Sequence, residues 1–81
     1  MQVHVYILFS NSLERYYSGI ADDVDKRLEQ HNAGKGKYTS KGMPWHIITT
    51  IACASRSEAM ALEKKIKKRG IQRYLIDNNL I

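Results

Sequence analysis

The sequence predicts an α+β domain: a small, mainly antiparallel three-stranded sheet flanked by helices, in the order strand, strand, helix, strand, helix, helix. Three observations lead there. Three runs are rich in β-branched and aromatic residues, two stretches carry helix-start and helix-stop signals, and a chain of 81 residues with 43% hydrophobic content is enough for one core and too little for two.

Val3 to Phe9 is the first strand, Asn11, Ser12 and Glu14 supply turn chemistry, and Arg15 to Ile20 is the second. The pair forms an antiparallel hairpin with a tyrosine on each strand, Tyr6 and Tyr17. Ala21 or Asp22 then opens a helix running to about Asn32, with Asp22, Asp23 and Asp25 at the positive end of its dipole and Gly34 as the stop. The stretch "GKGKYTSKGMPW" reads as a loop rich in glycine and lysine. "HIITTIAC", His46 to Cys53, is the third strand. Ser55 to Glu58 matches a capping box, opening a helix that reaches Arg69, where Gly70 interrupts it before a short terminal helix.

Composition removes several classes. No apolar run approaches the roughly 18 residues of a membrane span, and Met1 is not followed by the basic-then-apolar pattern of a secretory signal, so a cytoplasmic location is expected. Cys53 is the only cysteine, which rules out an intrachain disulfide, and no Cys/His cluster suggests structural zinc. Thirteen Lys and Arg against eight Asp and Glu give a net charge of +5. That balance favours a polyanionic partner such as nucleic acid, although solubility or an anionic membrane surface accounts for it equally well.

Ionisable residues fall beside two apolar seams. In the first helix Val24 and Leu28 define a buried stripe whose other members are Arg27 and His31; in the second, Ala59, Leu62 and Ile66 define one that includes Glu63. Buried charges are paired or bound to something. Arg27 and Glu63 therefore either pair with each other, or reach water at the stripe margin, or mark a site. His31 and the two tyrosines allow the same choice between packing and chemistry. Together the five suit phosphoryl transfer: an arginine stabilises charge on a pentavalent phosphate, a carboxylate holds Mg²⁺ or Mn²⁺, and a phenol or imidazole takes a proton from water.

On these residues the chain resembles the GIY-YIG nuclease superfamily, and in particular its small stand-alone bacterial members similar to the N-terminal domain of the excision-repair nuclease. The first signature stands here as His4-Val5-Tyr6 and the second as Tyr17-Ser18-Gly19, with the two tyrosines 11 positions apart. The resemblance spans nearly the whole chain, 1–81 as one nuclease domain, and places both phenols at one edge of the sheet. It implies a divalent-metal-dependent endonuclease acting on DNA more readily than RNA, in repair or recombination. In that reading Glu63 binds one Mg²⁺ or Mn²⁺, Arg27 steadies the scissile phosphate, Tyr6 or His31 activates water, and Tyr17 orients the water or the phosphate. The family's asparagine beyond the glutamate has no counterpart that can be carried over to Asn78 or Asn79.

Lys35, Lys37 and Lys41, interleaved with Tyr38, suit backbone contacts and base stacking, while Trp45, anchored by Pro44, is expected to be a core lid. Lys64, Lys65, Lys67, Lys68 and Arg69 either extend the basic surface or form a solvated helix face. The alternative to an active nuclease is a nucleic-acid-binding or protein-interaction module that keeps the fold without turnover.

Overall fold

A computed structural model describes residues 2–34 and 39–81. Strands β1 (Val3–Ser10) and β2 (Arg15–Ala21) are followed by helix α1 (Val24–Asn32), a 3₁₀ turn (Thr39–Gly42), strand β3 (Trp45–Cys53), and helices α2 (Arg56–Arg69) and α3 (Ile71–Asp77). The sheet has the order β2-β1-β3 and is antiparallel throughout. The predicted fold class and element order are those observed.

Side chains alternate across β1 and so divide the core into two layers. Val5 and Ile7 face α2 and α3, where they bury Ala59, Ile66, Leu75 and Cys53. Tyr6 and Leu8 face the opposite side, with Ala21 and Trp45 fully or nearly buried and Val24 and Leu28 of α1 packed against them. Trp45 is the core lid expected of it, 1% exposed, and the third strand begins there, one residue before the expected His46.

A shift in the β1–β3 register decides which layer Trp45 joins. Ile7 pairs with Thr49 but Leu8 pairs with Ile47, so Ile48 is one extra residue on β3. Strict alternation from Cys53 would turn Trp45 toward α2; the bulge turns it to the α1 side, opposite Ser10. Its ring seats on Gly42, where an added Cβ would lie 2.5 Å from Cζ2.

α1 starts later than the sequence suggests. Ala21 still pairs with His4 in the ladder, and Asp23 is the N-cap, its Oδ1 accepting the Lys26 N–H at 3.1 Å. α2 starts and stops as expected: Ser55 Oγ accepts the Glu58 N–H, and Gly70, at φ +96°, ends the helix. A bidentate pair from Arg69 to Asp77, at 2.7 and 3.1 Å, then ties the end of α2 to the end of α3.

Candidate active site

The two tyrosines meet because of the hairpin register. Tyr6 lies opposite Gly19, and Leu8 lies opposite Tyr17, so the phenols share the α1 face as diagonal neighbours with ring centroids 6.5 Å apart. β1 is the central strand, so Tyr6 stands in the middle of the sheet and not at the edge where the resemblance places it. Gly19 makes room for it. An added Cβ there would lie against the Tyr6 hydroxyl and 2.5 Å from Cζ.

One turn of α1 separates Arg27 from His31, and the two have opposite environments. His31, in the last turn, is 6% exposed, with its Nε2 3.0 Å from Tyr6 Oη and its ring edge-on to Tyr17 at 5.3 Å. Arg27 is exposed, which is the second of the three alternatives, a reach to water at the stripe margin, while Val24, Leu28 and His31 face the sheet. Its guanidinium donates to Gln30 at 3.3 Å and reaches the neighbourhood of the Tyr6 hydroxyl.

These surroundings set the protonation states. Burial, the largest influence, raises the Tyr6 hydroxyl above the ordinary phenol range, while Arg27 pulls the other way by favouring the phenolate. Burial also lowers the His31 pKa, and the nearby Arg27 charge lowers it further. At neutral pH both groups are uncharged. In the tautomer with its proton on Nδ1, His31 Nε2 accepts from the Tyr6 O–H; in the other, Nε2–H donates to the phenol oxygen.

Glu63 projects from α2 with its side chain 17% exposed. Its ion-pair partner is Lys67 at 3.7 Å, one turn on, and not Arg27. The Glu63 charge is felt at Tyr6, where it adds slightly to the raised pKa. Among the described residues no three His, Cys, Asp or Glu side chains gather into a set able to hold a metal ion. Of the expected nucleic-acid contacts, Lys35, Lys37 and Tyr38 lie outside the described residues, and Lys41 is exposed at the end of the 3₁₀ turn.

Two contributions are not visible in the sequence pattern. Asn32 clamps the Trp45 peptide: Oδ1 accepts its N–H at 2.6 Å and Nδ2 donates to its carbonyl at 3.2 Å, which fixes the end of α1, and His31 with it, against β3. Arg56 shares with Lys26 and Arg27 the wall of a cavity of about 420 Å³ where β2 passes into α1. The only signal for Arg56 is its position two turns before Glu63 on one helix face.

Comparison with known proteins identifies the family. Residues 2–74 match the model of the GIY-YIG catalytic domain. The UPF0213 protein BH0048 of Halalkalibacterium halodurans is 40% identical over 68 residues, 83% of this chain and 71% of that protein. A UPF0213 protein of Staphylococcus aureus is 36% identical over 76 residues, 93% of each chain. The solution NMR structure of the UPF0213 protein BH0048 from Bacillus halodurans superposes with a TM-score of 0.60 at 34% identity, covering 99% of this chain and 85% of that one. The chain belongs to the GIY-YIG nuclease family and is similar to its small UPF0213 members.

Proposed function

We propose that residues 1–81 act as one cytoplasmic, divalent-metal-dependent endonuclease domain that hydrolyses phosphodiesters in DNA, in repair or recombination. The observation that carries this reading is the 3.0 Å contact between Tyr6 Oη and His31 Nε2, with Arg27 beside it. An attacking water gives a proton to Tyr6 Oη as the Tyr6 proton passes to His31 Nε2. Water oxygen bonds to phosphorus, the bond to one ester oxygen breaks, and that oxygen leaves with a proton from solvent. Arg27 offsets charge on the phosphoryl oxygens, and Tyr17, edge-on to His31, holds the imidazole in line. Burial and the Arg27 charge, which together keep His31 neutral, also make the imidazolium surrender its proton readily after each turnover.

The residues present fit a single hard cation of the Mg²⁺ or Mn²⁺ kind. Such ions are commonly held by one or two carboxylates together with substrate phosphates, and Glu63, a partly buried carboxylate weakly paired with Lys67, suits that pattern. When bound, the ion supplies Lewis-acid stabilisation of the phosphate. Lys41, with Lys35, Lys37 and Tyr38 beyond the described residues, extends the contact along the backbone.

The test is purified protein with Mg²⁺ or Mn²⁺ against single-stranded, duplex, flap and branched DNA and RNA. Tyr6→Phe, Arg27→Ala and Glu63→Ala should each lower cleavage by at least ~100-fold. Binding without cleavage of any substrate would favour the non-catalytic module.

A further inference from the structure

The cavity at the end of β2 lies beside the tyrosine cluster, and of its lining only Arg27 takes part in the chemistry above. Lys26 and Arg27 enter it from the first half of α1, on one face of the sheet. Arg56 enters it from the start of α2, which packs on the other face. Cations from both layers thus converge across the edge strand. Among the described residues Lys26 and Arg56 have no ion-pair partner, since the ion pairs there are Lys67 with Glu63 and Arg69 with Asp77. Two carboxylates, Asp22 and Asp23, share the wall with three cations, so the lining stays net positive, and Asp23 is also engaged as the α1 cap.

Arg27 belongs to both places: it faces the Tyr6 hydroxyl and it lines this cavity. An anion held between Arg27 and Arg56 is therefore next to whatever Arg27 holds at Tyr6. Resting on the nuclease reading, we infer that the cavity binds the phosphodiester adjacent to the scissile one on the same strand, with Arg56 and Lys26 as its positioning residues. Contacts of this kind set register along the backbone and carry no base information, so their effect is the same for every sequence. Arginine suits the task better than lysine because its planar fork meets two phosphate oxygens at once.

The experiment compares the full chain with Arg56→Ala, Arg56→Lys and Lys26→Ala, using a labelled oligonucleotide that the wild type cleaves. A second oligonucleotide carries a neutral methylphosphonate at the phosphate beside the cut. Arg56→Ala should raise KM about tenfold with kcat near wild type, the size expected for one charge-assisted contact. It should also make the log-log salt slope of binding shallower by about one. Arg56→Lys should restore the slope and part of the affinity. On the methylphosphonate strand, placed on the correct side of the cut, the difference between wild type and Arg56→Ala should vanish. Cleavage by the wild type with KM and salt slope unchanged in Arg56→Ala would overturn the subsite and leave the nuclease reading standing. A wild type that neither binds nor cuts any nucleic acid would overturn the reading beneath it.

Discussion

Gly19→Ala tests how tightly the tyrosine is seated. The new Cβ would lie 2.5 Å from Tyr6 Cζ and 2.9 Å from Cε1. Ordinary carbon contacts are about 3.5 Å or more, so the ring must withdraw by about 1 Å. It has nowhere to go cheaply. Tyr6 is 1% exposed and packed among Leu8, Ala21, Trp45 and Tyr17. A withdrawal of that size also stretches the 3.0 Å contact with His31 beyond hydrogen-bonding range. Overpacking of this kind costs about 1–3 kcal/mol. The lost buried hydrogen bond adds about 1 kcal/mol, and the stiffer unfolded chain returns a little under 1 kcal/mol. The net expectation is a loss of about 1–3 kcal/mol, which for a chain of this size lowers the melting temperature by roughly 5–20 °C. Thermal melting with circular dichroism reads it directly. Combined with Tyr6→Phe, which removes the atom nearest the new methyl, part of the loss should be recovered, a coupling of about 1 kcal/mol. A Gly19→Ala protein that melts with the wild type would refute the close seating, and unchanged cleavage would refute the need for the Tyr6 to His31 contact.

Four further outcomes follow from the same geometry. Because the His31 pKa is lowered in the folded state, stability is fully present above the ordinary histidine value of 6.5 and is lost as pH falls from there through the lowered value; the raised Tyr6 pKa predicts a second loss as pH rises above 10.0. Cleavage with His31 as final acceptor should likewise rise only below pH 6.5 and be flat at neutral pH, whereas a rate still climbing toward pH 10.0 would identify a Tyr6 phenolate as the base. Glu63→Gln removes one i,i+4 pair to a lysine that is 59% exposed, so it should change stability by under about 0.5 kcal/mol while abolishing weak Mg²⁺ binding in a calorimetric titration. A large loss of stability with metal binding intact would show a structural role instead. Ser18 Oγ is buried on the α2 side of the sheet with no hydrogen-bond partner among the described residues, so Ser18→Ala should raise stability by roughly 1 kcal/mol in denaturant titration, and a destabilised variant would reveal a partner for the hydroxyl.

The family, the element order and the identities in the tyrosine cluster were all legible in the chain, and so were the limits of α2, because Ser55 and Gly70 act on their own neighbours. Local periodicity told less about α1. It put Arg27 and His31 on one stripe, yet only His31 is buried, because that helix meets the sheet along a narrow line. The suspected pairing of Arg27 with Glu63 is not made because each has a partner on its own helix, Gln30 for Arg27 and Lys67 for Glu63.

What the sequence determined by itself is the direction in which each side chain leaves its own element, since strand alternation, helix pitch and caps depend on residues a few positions apart. Which groups then meet depended on register and on the packing of layers, which are long-range. The pairing of Tyr6 with Gly19 aims the phenol at His31 from 25 positions away. The extra residue at Ile48 rotates Trp45 into the α1 layer, where Asn32 holds its peptide. Arg56 joins Arg27 only because helices on opposite faces both reach past the same edge strand, a juxtaposition that the tertiary structure alone creates.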